Sequence, residues 1–260
     1  MHTFFSQDGK MTMDEACEKA IHVGLQEIAF TDHMDIDLPD NKLAFQMEDM
    51  DEYIRAVETT RTKYQGRLTV KTGIEIGLQD WTLEKATSLV QNYPYDFVIA
   101  SIHIVDGLDP YYPEFHKNRN KVQEYMDYYR NIYDLLQVYD DFNVLGHLDY
   151  IRRYCPQPYE ANDHLIGIDL VESILKLLIE KGKGLELNTA GFKHYSKQPH
   201  PHPDILKLYR ELGGEIVTIG SDAHYVEYVG YENKRALEWL KYAGFDYVTS
   251  FTAMQPKFIK

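Results

Sequence analysis

The sequence predicts an α/β fold of parallel βα units, either a barrel or an open doubly wound sheet, and three observations carry that expectation. Short runs rich in aliphatic and β-branched residues alternate almost without exception with longer patterns of helical period. The 260 residues suit one large α/β domain, and no linker, low-complexity tract or internal repeat divides them, so 1–260 is expected to be a single domain. Ionisable side chains recur at one place, immediately after the strand runs, which in parallel βα folds is the rim where side chains from different strands converge.

The predicted strands are Glu27–Phe30, Leu68–Thr72, Phe97–Ala100, Asn143–Leu145, Gly184–Leu187 and Glu215–Ile219, short enough and apolar enough to be buried on both faces. The first helix opens with Thr12 and Glu15 as a capping box and carries Met13, Ala16, Ala20 and Ile21 on one face. A second helix spans about Met50–Tyr64 with Tyr53, Ile54, Val57 and Tyr64 inward, and a third about Val122–Val138 with Met126, Tyr129, Tyr133 and Leu136 inward. Later helices cover about Leu170–Ile179, Asp204–Leu212 with Pro203 in the first turn, and Arg235–Tyr242. The acidic run Glu48-Asp49-Met50-Asp51-Glu52 reads as a solvated helix start favoured by the helix dipole.

Composition narrows the function. With 41 acidic and 27 basic residues the net charge is −14, which opposes DNA, RNA or an anionic membrane as partner but leaves small anions open where basic side chains gather. No apolar run approaches the roughly 18 residues of a membrane helix, and the first six residues carry no secretory signal pattern. Two cysteines, Cys17 and Cys155, fit a reduced cytoplasmic compartment.

The rim residues are Asp32 and His33, Glu75, His103, His147 and Asp149, then Asp222 and His224. One histidine after a strand is ordinarily a hydrogen-bonded core residue. Five strand ends delivering imidazoles and carboxylates to one rim would bury charge at great cost unless cations compensate it. Imidazole nitrogen with carboxylate oxygen suits zinc, manganese or iron, and adjacent cations of this kind serve hydrolysis by lowering the pKa of a shared water and neutralising a leaving oxygen. Phosphate ester hydrolysis, deamination and amide hydrolysis all remain open on these residues alone.

Six segments then carry a resemblance: His2-Thr3-Phe4-Phe5-Ser6 through Asp8-Gly9, Phe30-Thr31-Asp32-His33, Gly73-Ile74-Glu75, Ala100-Ser101-Ile102-His103, Gly146-His147-Leu148-Asp149 and Gly220-Ser221-Asp222-Ala223-His224. In these segments and their order the chain resembles the PHP (polymerase and histidinol phosphatase) family, and within it the histidinol-phosphate phosphatases. The resemblance implies a distorted (β/α)7 barrel with three divalent metal ions at its rim. It assigns His2, Glu75 and Asp222 to a first metal, Glu75, His103 and His147 to a second, and Asp8, His33 and His224 to a third. It further implies proton transfer to the leaving alkoxide by His224 or Asp149. The family opens with His-x-His-Thr at the end of its first strand, whereas this sequence reads Met1-His2-Thr3, so the first strand is expected to be largely missing, as after an N-terminal truncation.

For phosphate, Arg153 is the first candidate and Arg152 the second, because an arginine clamps phosphate bidentately; relatives carry arginine where this chain has Lys193, which keeps the charge and loses the planar fork. The expected activity is phosphomonoester hydrolysis, with L-histidinol phosphate as substrate. The alternatives are another small phosphate ester or nucleotide, or a metal-binding pseudoenzyme. His200 and His202 mimic metal spacing but precede a helix, while His22, His116, His164 and His194 read as helix-face or loop residues.

Overall fold

The computed structural model describes residues 1–39, 49–194 and 196–260. Its centre is a curled sheet of seven parallel strands: β1 (Glu27–Phe30), β2 (His33–Asp35), β3 (Thr69–Gly77), β4 (Phe97–Ser101), β5 (Val144–Leu145), β6 (Gly184–Asn188) and β7 (Val217–Gly220). They pair in the order β1, β3, β4, β5, β6, β7, and β2 continues β1 along the same edge of β3 after a break at Thr31 and Asp32. A helix α1 (Met13–His22) precedes β1. The connections that follow carry α2 (Met50–Tyr64), α3 (Leu83–Asn92), α4 (Pro113–His116) with α5 (Lys121–Val138), α6 (Ile151–Tyr154) with α7 (Ile168–Glu180), and α8 (Pro203–Glu211). After β7 come α9 (Asn233–Tyr242) and an antiparallel hairpin, β8 (Val248–Thr252) and β9 (Gln255–Ile259). This is the distorted α/β barrel expected.

Local chemistry explains the helix starts. Thr12 and Glu15 form the reciprocal capping box of α1, Asn120 and Gln123 do the same for α5, and Asp49 accepts the Glu52 N–H at the start of α2. Glu48 of the acidic run lies outside the described residues. Helix α7 buries Val171, Ile174, Leu175 and Leu178 as one stripe against the core.

Several elements depart from expectation. Strand β3 does not stop at Thr72 but runs nine residues to Gly77, so Glu75 sits inside the strand rather than past it. Gly73, the first residue past the expected end, continues the strand. It is a point of close approach, where a Cβ would lie 2.8 Å from the carbonyl oxygens of Phe30 and Phe97 on the two flanking strands. Strand β2, helix α3 and the terminal hairpin were not anticipated: β2 has three residues, α3 buries only Ala86 and Val90, and every residue of β9 is exposed. On α5 the inward face is set by Tyr125, Tyr128, Ile132 and Leu135 beside Tyr129 and Leu136, while Met126 and Tyr133 are only half-buried.

The sheet ends at β1 and β7, and residues 1–2 bridge those two strands at the rim. The Thr31 N–H donates to the Met1 carbonyl at 2.9 Å and the His2 N–H donates to the Ala223 carbonyl at 2.9 Å. Beneath this bridge lies a cavity of about 320 Å³, lined by Ile28, Ala29, Thr218 and Ile219 from the two strands and by Val248 and Phe251 from the hairpin. The hairpin covers the opposite end of the sheet from the rim, through Ser250 to Glu27, Lys71 to Thr252 and Asn143 to the Met254 carbonyl.

Replacing Gly73 by alanine forces a methyl group against two backbone carbonyls, and the expected cost is about 1–3 kcal/mol. Thermal unfolding should show a midpoint lower by several degrees, and an unchanged midpoint would contradict the close approach.

Candidate metal centre

Glu75 is 4% exposed and its carboxylate faces three imidazoles delivered by different segments. His147 Nε2 lies 3.0 Å from Oε1, His103 Nε2 3.3 Å from Oε1, and His2 Nε2 3.3 Å from Oε2. His2 Nε2 is also 3.3 Å from Asp222 Oδ1. On the cavity side Asp8 Oδ2 stands 2.9 Å from His224 Nε2 and 3.9 Å from His33 Nε2. The ring of His2 stacks between those of His33 and His224, with centroids 4.1 and 4.2 Å away.

The sequence folds this way because each ligand-bearing segment is tied down. Asp32, buried and named among the rim acids, accepts from the Thr3 N–H at 2.5 Å, from the Thr3 hydroxyl and from the Ser6 hydroxyl at 2.8 Å, fixing the loop that carries His2 and Asp8. The His147 and Asp222 backbones take positive φ values of 22° and 48°, a costly conformation for residues that carry a Cβ, held here at the two strand ends that deliver them.

Electrostatics follow from the crowding. Burial opposes charge on His2, yet the carboxylates of Asp222 and Glu75 outweigh it and raise its pKa to about 9. Burial likewise opposes ionisation of Glu75, and His33, His103, His147 and His2 hold it well below the usual carboxylate value. For Asp222, His2, His224 and Arg153 overcome the same burial penalty. His33 is driven the other way, to about 3, by burial and the neighbouring charge of His2. The anionic carboxylates thus call for positive charge that packed imidazoles supply poorly, since they repel one another when protonated.

The donor set fits divalent cations. Among the described residues five groups place ligand atoms within 4.8 Å of one another: at the rim His2, Glu75 and Asp222; Glu75, His103 and His147; His2, His33 and His224, beside which Asp8 stands; and His33, Asp35 and His103; and, away from the cavity, His164, His202 and Asp204. Buried Nδ1 of His2, Nδ1 of His147 and Oδ1 of Asp8 have no hydrogen-bond partner among the described residues, as expected of atoms left over for coordination or its supporting shell.

Two buried acids escaped the sequence reading. Asp35 Oδ1 lies 2.8 Å from His103 Nδ1, the position of a carboxylate that orients a ligand imidazole. The signal was available, because His33 and Asp35 are two apart and share a strand face. Glu186 accepts the His147 N–H at 3.2 Å and the Asn188 amide at 3.0 Å, and burial raises its pKa. It was visible as the acid inside the apolar run Gly184-Leu185-Glu186-Leu187. Gly220 makes room for it, since a Cβ there would fall 1.8 Å from Glu186 Oε1.

Above the cluster opens a cavity of about 630 Å³ lined by Asp8, His33, Glu75, His103, His147, Asp222 and His224, together with Arg153, Lys193 and several tyrosines. Arg153 reaches Asp222 Oδ2 at 3.2 Å and lies over the Tyr150 ring, which packs 4.8 Å from His147. The Lys193 ammonium sits 3.6 Å from the Tyr228 ring centroid, and burial lowers its pKa.

Asp149 and Arg152 stand apart from the expectation, for neither lines this cavity. Asp149 Oδ1 faces His200 Nδ1, and its Oδ2 accepts the His202 N–H at 3.0 Å and lies 3.2 Å from Arg152 Nη1. Arg152 also donates to the Pro199 carbonyl. His200 is thereby part of a buried network under the rim. His202 caps α8 by accepting the Asp204 N–H and stacks on His164 at 3.8 Å, away from the cavity.

Buried imidazoles and carboxylates at the strand-end rim of an α/β barrel, beneath a cavity with its own basic side chains, define a metal-centre barrel enzyme. The chain belongs to the PHP domain family, whose model matches residues 1–190. It is 28% identical over 255 residues to a histidinol-phosphatase of Lactococcus lactis, covering 98% of this chain and 93% of that one. It is 31% identical over 239 residues to a probable histidinol-phosphatase of Clostridium acetobutylicum, covering 92% and 90%. The crystal structure of the Lactococcus lactis histidinol phosphate phosphatase complexed with zinc, L-histidinol and phosphate superposes with a TM-score of 0.89 at 27% identity, over 99% of this chain and 97% of that one.

Glu75→Gln keeps the shape and removes the charge shared by two of the ligand groups. Divalent metal retained after dialysis, measured by elemental analysis, should fall by about two equivalents per chain; unchanged content would remove Glu75 from the bridging position.

Proposed function

We propose that the chain is a divalent-metal-dependent phosphomonoesterase that hydrolyses L-histidinol phosphate to L-histidinol and phosphate, in histidine biosynthesis. The observation that carries this is the convergence of the Glu75 cluster with Arg153 and Lys193 in one cavity: a hydrolytic donor set beside two cations placed for a phosphate dianion. The likeness to relatives named for that activity supports the substrate.

On this reading His2, Glu75 and Asp222 hold one divalent cation, Glu75, His103 and His147 a second, and Asp8, His33 and His224 a third, with zinc, manganese or iron suited to the donors. Cations held there supply Lewis acidity, activating a shared water and neutralising charge on the phosphoryl and leaving oxygens. Arg153 and Lys193 bind the phosphoryl oxygens on the open side. Tyr150 keeps water from the back of the His147 and His103 rings and holds Arg153 in place. His224 Nε2, shared with Asp8, is the atom next to the cavity from which a proton can reach the leaving alkoxide. One lone pair cannot hold a proton and a cation together, so at this nitrogen the two uses exclude each other. Asp149, with both oxygens engaged beneath the rim, serves instead to position the Arg152-Arg153 turn.

Residues beyond 190 belong to the same unit, because Lys193, Asp222 and His224 come from them. A small phosphate ester is the only partner this site requires. No helix among the described residues is long and apolar enough to cross a membrane, and Cys17 and Cys155 are free thiols.

Phosphate release from L-histidinol phosphate after metal loading tests the reading. The unsubstituted chain should turn over; Arg153→Ala should lose about ten- to a hundredfold in kcat/KM. His224→Asn should lower the divalent metal retained per chain if that nitrogen carries a cation, and should lower turnover with metal content unchanged if it carries the proton instead. Silence towards this ester with turnover of another would transfer the activity to that ester.

A further inference from the structure

Five carboxylates line the metal cavity as buried or half-buried groups, and four of them have cationic or imidazole partners: Asp8 with His224, Asp35 with His103, Glu75 with His2, His103 and His147, and Asp222 with His2 and Arg153. The fifth, Asp109, has no hydrogen bond or ion pair to such a group among the described residues, and of those groups only the more distant charge of His103 acts on it. Its Oδ1 accepts the Tyr111 N–H at 2.8 Å, and among the described residues no ion pair engages it. Glu114, also on the lining, is exposed and solvated. A half-buried carboxylate left without a cation inside a substrate cavity is costly unless the substrate brings one.

The loop holding Asp109 is built to stay put. Val105 and Leu108 exchange backbone hydrogen bonds at 2.8 and 2.9 Å across Asp106 and Gly107, whose φ values of 52° and 74° give the tight left-handed turn that favours an Asp-Gly pair. Arg119 ties Asp106 at 3.2 Å, the Tyr112 N–H bonds the Asp109 carbonyl at 3.0 Å, and His116 Nε2 bonds the Pro110 carbonyl at 2.9 Å. From the metal centre outward an aromatic wall leads to this loop: Tyr150 packs on His147, Tyr154 meets Tyr150 edge-on at 5.0 Å, and Tyr111 meets Tyr154 edge-on at 5.5 Å.

We propose that Asp109 is a specificity-determining residue whose free carboxylate oxygen receives the ammonium group of an amino-alkyl phosphate, so that the site selects phosphate esters carrying a positive charge a few bonds from the ester oxygen. This rests on the phosphomonoesterase reading above. The one cavity offers both kinds of group: the candidate metal ligands with Arg153 and Lys193 for a phosphate, Asp109 as a half-buried acid without an ion pair among the described residues, and tyrosine rings for the planar part of the substrate. Burial raises the Asp109 pKa, against the Tyr111 N–H and the charge of His103, as befits a group that lacks its cation. Asp109→Asn removes the charge yet retains the oxygen that accepts the Tyr111 N–H, so the turn is kept.

The test compares L-histidinol phosphate with its des-amino analogue, 3-(imidazol-4-yl)propyl phosphate, on the metal-loaded unsubstituted chain and on Asp109→Asn. The unsubstituted chain should prefer the amine-bearing ester by about ten- to a hundredfold in kcat/KM, the range of a charge-assisted hydrogen bond. Asp109→Asn should lose that factor on L-histidinol phosphate and keep its activity on the des-amino ester, collapsing the preference. Equal losses on both esters, or a preference that survives the substitution, would overturn the proposal while leaving the phosphatase reading intact. No turnover of either ester by the unsubstituted chain would overturn both.

Discussion

A carboxylate sealed inside a sheet, with no fixed cation beside it, is the constraint from which the rest of this site follows. Glu75 lies within β3, which pairs with β1 and β2 on one edge and β4 on the other, and its oxygens meet imidazoles from the N-terminal loop, from the end of β4 and from the end of β5. Burying one such anion without compensation would cost several kcal/mol. The imidazoles answer part of that demand, but protonating all of them in so small a space brings repulsion. Divalent cations resolve both difficulties, because neutral imidazoles can then converge on the same point as the anions.

Around that centre runs a layer whose work is orientation. Asp35 aligns His103, Glu186 holds the His147 backbone in its left-handed turn, and Asp32 ties down the loop of His2 and Asp8. Below the rim, Asp149, Arg152 and His200 connect the segment after β5 to the segment before α8. Burial holds His200 neutral, with a pKa near 3, while Arg152 and His200 outweigh the burial penalty on Asp149 and keep it ionised, with a pKa near 2. One residue further along the same turn of α6, Arg153 points into the cavity. Adjacent arginines thus take different tasks, and only the three-dimensional turn tells them apart.

Much of this was legible beforehand for identifiable reasons. Periodicity found the parallel strands and the longer helices because one apolar face dominates each, and the clustering of imidazoles and carboxylates was legible because polar groups placed at strand ends recur at a single structural location. The parts that stayed hidden were those in which long-range contact overrides local pattern. The extension of β3 past Thr72 to Gly77 depends on strands β1 and β4, whose Phe30 and Phe97 carbonyls close in on Gly73. Asp149 and His200 are 51 residues apart, so nothing local marks them as a pair. Strand β9 has no buried face for alternation to reveal. Asp35 and Glu186 did leave traces, one as an alternating strand partner of His33 and the other as an acid in an apolar run.

The most direct test of the shared-carboxylate account is anomalous diffraction at the zinc edge from crystals of the zinc-loaded protein. The account predicts metal peaks on both sides of Glu75, one between its carboxylate, His2 and Asp222 and one between its carboxylate, His103 and His147. A single peak not touching Glu75, or zinc bound elsewhere while these side chains keep their mutual hydrogen bonds, would contradict it.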